Sequence, residues 1–590
     1  MGNIQNPNRP DVSRSARPKS LVLPIGLKAT LAATGAVVLL VLCLFGGTPM
    51  ARVSPWFGPV TAELAAVFRD PGTQWMVFGC LLIYLATFTL LQNRRSGMPL
   101  CRLGNPDAWL WSLVVLATGQ YLFSYGSASS STHALVLLAG AALGKGMATW
   151  ASFNHRNPRA ESVTPLGAKN DFQNTRSHEP VVARASRPIE ASRTGDSKAA
   201  QPGGHGRAPN PAEVHAEGRR PGEETIVFVL VFLLAVGALW PMETGYTFQY
   251  RGAERWSGVW DNPNIFGLLT GAGLVLAVGQ LLRLMTDRWR AGARPREPRT
   301  LMTATRWWGR LVILVPAAGI LAVGLVKSYS RGAWLATGVA LGYLVVWSLR
   351  FAGRRVTGTS GDTLPGRSLD LLRRNWIPAT AIGVALLVLA FWSFRDTERI
   401  ALRRAFSVAN VNDFSWRNRV AAWEGTLQMM ADKPWLGSGW NQPERVYDRF
   451  YRAAQVDEGM AIQMNDYFML GTTLGIPALV CFAAYLAFSL ARGPSCGTPS
   501  SVMRPKDTLS APGGRGEGQG EVRAMDDTES GARTLVTGWK QSPASAWLGI
   551  TCRAGAMVLL VGFWFDGGLL KLATATVFWV LLELGRDEGQ

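Results

Sequence analysis

Of the chain's 590 residues, 48% are A, V, I, L, M, F, W, Y or C, gathered in nearly uncharged blocks of about 17 to 24 residues; this excludes an ordinary string of soluble domains, because such blocks match the length that crosses a bilayer core. The net charge of +20 and pI near 10.2 do not point to nucleic acid, since Arg and Lys crowd the loops between blocks, as membrane orientation demands. The six cysteines show no CxxC spacing, which argues against both a disulfide framework and a zinc site.

In chain order the apolar blocks predict spans at 26–47, 73–92, 108–125, 133–152, 225–240, 263–285, 307–326, 333–349, 376–394, 467–491, 547–565 and 568–584. The fold class is therefore all-α: a polytopic integral membrane protein of about twelve transmembrane helices. The first block follows Arg9, Arg14, Arg17 and Lys19, but its apolar part is too long for a typical signal peptide and no clear cleavage site follows, so it reads as a retained span. The mean hydropathy of only +0.11 reflects dilution by charged connections.

Orientation follows from loop charge. The arginine-dense segments 283–310 and 350–375 belong in the cytoplasm, and parity then places both termini, 93–107, 153–223 and 492–546 there too. Outward lie 48–72, 126–132, 241–262, 327–332 and 395–466. The organisation is a tail at 1–25, spans one to four at 26–152, a cytoplasmic insertion at 153–223, spans five to nine at 224–394, an outer loop at 395–466, span ten at 467–491, a second cytoplasmic loop at 492–546, and the last two spans with a short tail at 547–590. Both long cytoplasmic segments are rich in Gly, Pro, Ser, Arg and Glu, a composition that predicts disorder. Within the outer loop, Trp416, Val420, Trp423, Leu427 and Met430 recur at helical spacing, so an amphipathic helix is expected up to Asp432, capped by Asp413 or Ser415 and ended by Pro434.

Three outward constellations are candidates for chemistry. Arg251 to Asn264 combines two arginines, two tryptophans and an Asn-Pro-Asn string; Asn262 or Asn264 would also serve as a plain helix cap. Lys327-Ser-Tyr-Ser-Arg331 places cations in a very short outer connection, where the positive-inside tendency disfavours them; a phosphate ligand would offset that cost, and snorkelling to lipid headgroups is the competing reading. The third joins the loop helix, with Arg417 and Arg419, to Pro434-Trp-Leu-Gly437-Ser-Gly439 and then Asn465-Asp466-Tyr467 and Gly475-Ile-Pro. Its glycines could serve close packing alone.

Taken in order, Arg255-Trp-Ser-Gly with Asn262-Pro-Asn264, Ser330-Arg331-Gly-Ala-Trp-Leu-Ala, Arg419 with Trp423 and Met429 ahead of Pro434-Trp-Leu-Gly437-Ser-Gly439, and Asn465 with Gly475-Ile-Pro-Ala-Leu resemble the O-antigen ligase and polymerase family of bacterial envelope proteins. The resemblance covers roughly 225–490. It implies a multi-pass protein of the bacterial inner membrane performing metal-independent glycan transfer on the outer face, with no cofactor. The implied partners are a polyprenyl-diphosphate-linked glycan as donor, an acceptor lipid, glycan or protein hydroxyl, and membrane lipid. By the same resemblance Arg255 and Arg331 are assigned to the diphosphate, with a lesser claim for Arg417 and Arg419. Many members carry a His just before the residue matched by Asn465; here it is Met464, so a base would have to be a carboxylate such as Asp466, Asp457 or Glu458. A transporter and a catalytically inactive scaffold of envelope assembly are the alternatives, and the small number of charges inside the spans argues against the first.

Overall fold

The computed structural model describes residues 25–46, 48, 70–96, 100, 102–123, 132–153, 221–239, 248–250, 253–260, 262–292, 301–353, 414–440, 443–454, 465–491 and 543–586. The expected span 376–394, the candidate carboxylates Asp457 and Glu458, Met464, and the bulk of 153–223 and 492–546 lie outside the described residues.

The described chain is nearly all helical: α1 (Ile25–Phe45), α2 (Pro71–Ser96), α3 (Pro106–Phe123), α4 (Thr132–Phe153), α5 (Pro221–Leu239), α6 (Pro263–Gly292), α7 (Leu301–Lys327), α8 (Arg331–Gly353), α9 (Phe414–Asp432), α10 (Asp466–Leu474), α11 (Ile476–Ala491), α12 (Pro543–Phe565) and α13 (Leu572–Gly585). Six of them, α2, α4, α5, α6, α7 and α12, contain stretches long and apolar enough to cross a membrane. The chain is thus a multi-pass helical membrane protein. A two-stranded antiparallel hairpin, β1 (Phe248–Tyr250) and β2 (Ala253–Arg255), which hydrophobic periodicity does not announce, precedes α6 and pairs Phe248 with Arg255.

Helix α6 is the hub and packs against α5, α7, α8 and α12. Helix α13 lies between α4 and α12 and is buried continuously from Thr574 to Gly585, as an all-round apolar helix must be. By contrast α7 leaves Val312, Val315 and Val323 exposed, the pattern of a helix with one face turned to lipid.

Three local expectations are corrected. Span ten is not one helix: it breaks at Gly475, whose φ of +87° is open to glycine and strained for other residues. The last span begins at Leu572 rather than 568, because residues 566–571 form an irregular strap between α12 and α13. And α9 packs on the protein through Asn418, Ala422, Gly425, Thr426 and Met429, while Val420 and Leu427 of the anticipated stripe stay exposed. Small residues let α9 approach its neighbours closely, and of the anticipated stripe Met430 is buried against Gly471 while Trp423 packs on Phe468 and Trp564.

Candidate functional site at one end of the bundle

The three constellations meet at one end of the bundle. Their hinge is the turn between α7 and α8. Ser328 Oγ donates to Leu325 O at 2.7 Å, Tyr329 takes a left-handed φ of +49°, and Ser330 accepts from the Ala333 amide at 3.2 Å as the cap of α8. A non-glycine residue in that conformation is uncommon and is held here by the turn around it.

The hairpin is stitched to this turn. Trp256 N donates to Lys327 O at 3.0 Å, Arg255 Nε donates to Ser328 O at 2.9 Å, and Arg255 Nη2 donates to Asn264 Oδ1 at 2.7 Å. Asn262 caps α6 by accepting from the amides of Asn264 at 2.8 Å and Ile265 at 3.3 Å. Arg255 is thereby fixed in place against the turn and the start of α6. Lys327 lies 5.8 Å from the centre of the Trp256 ring.

On the other side of the turn stands Asp566, in the strap after α12. Its Oδ2 accepts from Ser330 Oγ at 2.6 Å and its Oδ1 pairs with Arg419 Nη2 of α9 at 3.1 Å. The α8 backbone approaches so closely that a side chain at Gly332 would collide with this carboxylate. Asp566 thus joins the first two constellations to the third. Sequence reasoning passed over it as a mere connector, although an acid at the joint of two apolar spans carries a desolvation cost of its own.

Arg331 is the first residue of α8 and half-buried. A cation at a helix N-terminus opposes the dipole, whereas an anion there is favoured. Arg417 is exposed on α9. Arg419 is mostly buried, and its Nε has no hydrogen-bond partner among the described residues.

The third constellation divides into a support and a polar edge. The Pro434–Gly439 turn docks on the break between α10 and α11: Ser438 N donates to Thr472 O at 2.7 Å, Gly439 N to Thr473 O at 3.0 Å, and Ile476 N to Pro434 O at 2.7 Å. Gly437 and Gly475 face backbone carbonyls too near for any Cβ, so these glycines serve docking. Trp423 contacts Trp416, Phe468 and Trp564 with ring centres 5.6, 6.3 and 5.7 Å away, which fixes α9 against α10 and α12.

At the polar edge, Asn465 caps α10 by accepting from Tyr467 N at 3.1 Å and Phe468 N at 3.2 Å, and its Nδ2 is buried with no partner among the described residues. Asn465 is therefore the cap of α10. Asp466, 4% exposed, instead reaches across to the strap and accepts from Leu569 N at 2.6 Å. Burial pushes its carboxyl up to about 7, against the pull of the Leu569 amide and Lys571.

At this end of the multi-pass helical bundle the fold gathers Arg255, Arg331 and Arg419 around the Ser328–Ser330 turn, with Asp566 joining Ser330 to Arg419. Residues 316–483 match the family model described as O-antigen ligase, so the central segment of the chain is similar to that family. Arg331, Arg417, Arg419, Asn465 and Asp466 fall inside the matched segment; Arg255, Asn262, Asn264 and Asp566 fall outside it and are brought to it by the fold. No curated protein matches the chain.

Proposed function

We propose that this protein transfers or polymerises a glycan from a polyprenyl-diphosphate donor, at the site end of the bundle and on the outer face of the bacterial inner membrane. The family implies glycan transfer of the ligase or polymerase type. The observation that carries the finer reading is the layer formed by Arg255, Arg331 and Arg419 around the Ser328–Ser330 turn, braced by Asp566. Orientation rests on the sequence of the segment 288–306, which carries Arg288, Arg290, Arg294, Arg296, Arg299 and Arg306 where α6 leads into α7.

In this reading the acceptor hydroxyl attacks the anomeric carbon, the bond from that carbon to the diphosphate oxygen breaks, and polyprenyl diphosphate departs with the bonding pair. Charge on the leaving group grows toward the transition state, so fixed guanidinium groups lower the barrier more than they stabilise bound donor. Arg331 and Arg255 hold the diphosphate; Arg419, oriented by Asp566, closes its side, and Arg417 guides the donor from the exposed edge of α9. Asp466 takes the hydroxyl proton, and a carboxyl poised near neutrality suits a general base. Catalysis needs no cofactor in this scheme.

Deleting the gene in its host tests the reading directly. Lipid-linked glycan should accumulate while the mature surface polysaccharide disappears. Unchanged levels of both would instead fit a nutrient transporter and end the transferase reading.

A further inference from the structure

The end of the bundle opposite the site holds a closed ring of charge. Lys145 of α4 is fully buried, with Nζ bonded to Asp107 Oδ1 of α3, 2.9 Å from Glu583 Oε2 of α13 and 3.1 Å from Gln92 Oε1 of α2. Arg586, just beyond α13, places Nη1 2.6 Å from Asp107 Oδ1 and 2.9 Å from Glu583 Oε2. Tyr485 of α11 donates its hydroxyl to Glu583 Oε1. Two cations thus share the same two carboxylates, and neutral donors and acceptors from two further helices complete the set.

Such a ring is a poor source of stability, because desolvation of the four charges consumes much of their attraction. What it supplies is register. The α4–α13 interface it closes is otherwise a smooth one, in which Gly140 and Gly144 lie flat against Trp579. Small residues admit close approach and specify axial position weakly. The contacts of Trp579 with Gly140 and of Glu583 with Lys145 also show that α4 and α13 run parallel, so an axial shift of α13 carries its far end with it. At that far end begins the strap whose Leu569 amide binds Asp466 and whose Asp566 binds Ser330 and Arg419.

We propose that the Lys145–Asp107–Glu583–Arg586 ring is a register lock that sets the axial position of α13 and, through it, the strap at 566–571; Lys145 and Glu583 are positioning residues for a site about 20 Å away, the length of the 14-residue helix between them. A slip of one residue moves the strap by about 1.5 Å, enough to break the Leu569–Asp466 hydrogen bond. In its consequence for catalysis the lock rests on the proposed transferase reading; in its geometry it does not.

Hydrogen exchange on the full chain in nanodiscs tests it. Lys145→Met leaves two buried carboxylates sharing the single cation Arg586, and α13 should shift to relieve the excess negative charge; exchange of the Leu569 amide should rise at least tenfold while peptides across Lys327–Trp334 keep their wild-type protection. The charge-balanced double variant Lys145→Met/Glu583→Gln leaves Arg586 paired with Asp107 and should return Leu569 to within about threefold of wild type. Tyr485→Phe, which removes only a neutral donor, should fold and give a smaller rise in the same place. Unchanged exchange at Leu569 in Lys145→Met overturns the lock. So does equal loss of protection along the whole chain in both lysine variants, which would make the ring a general fold element. In a transfer assay the single variant should lower kcat with KM unchanged and the double variant should regain it. Absence of transfer by the wild type would count against the transferase reading and leave the exchange result decisive for the lock.

Discussion

Burial of Asp466 in the fold pushes its carboxyl up to about 7, well above the usual carboxylate range. Between roughly pH 4 and pH 7 the folded protein therefore keeps a proton that the unfolded chain has released, and stability falls as pH rises through that window. Thermal unfolding in detergent should show this fall, and Asp466→Asn should flatten it. The same variant should abolish transfer while donor binding persists; wild-type turnover would remove the general-base role. Arg331→Lys keeps a charge and loses the planar fork that fits phosphate oxygens, so a large loss of transfer with normal membrane insertion is expected. Full activity in Arg331→Ala would reduce Arg331 to a headgroup anchor. Asp566→Asn leaves the mostly buried Arg419 without its counter-charge and should cost about 3 kcal/mol. Adding Arg419→Gln should recover much of that loss, a coupling that a double-mutant cycle in denaturation measures. The sequence marked Arg255, Arg331 and Arg419 through motif order. It did not mark Asp566, whose importance depends on a serine 236 positions earlier.

At the scale of elements, the break between α10 and α11 and the turn at Pro434–Gly439 act as one joint. Gly475→Ala must place a side chain against the carbonyls of Pro434 and Trp435 at a φ of +87°. A destabilisation of about 1–3 kcal/mol is expected, with faster proteolysis between α9 and α10 as its readout. Hydropathy cannot show this break, since both halves are apolar and only the backbone turns. Helix α9 is the converse case. Periodicity found the helix and an apolar stripe, yet that stripe is split: Trp423 and Met430 pack on the protein while Val420 and Leu427 are exposed. A face that meets lipid and a face that meets protein are both apolar, so pattern alone does not say which is which.

Across the whole molecule the site and the charge ring lie at opposite ends of α13, and the proposed function requires the site end to face outward. In a cysteine-free background, a cysteine at Phe450, exposed beside α9, should react with an impermeant maleimide added from the outer side, and one at Arg288 of α6 should not. The reverse pattern overturns the orientation, and with it the access of a lipid-linked donor. The ring also corrects the expectation that the spans carry few charges. Lys145 and Glu583 each look like an isolated blemish in an apolar block, and only their meeting across 438 positions makes them a unit.

The sequence by itself determined that the chain is a multi-pass helical protein and which segments carry its polar motifs, because a bilayer imposes length and apolarity locally, residue by residue, and the family's motifs are short runs. Tertiary structure decided which side chains share a place: Asp566 with Ser330 and Arg419, Arg255 with Ser328, Lys145 with Glu583. Helix packing depends on contacts between residues distant in the chain, and in an interior as apolar as its surroundings those contacts are fixed by close fit and by a few buried charges, neither of which composition or periodicity records.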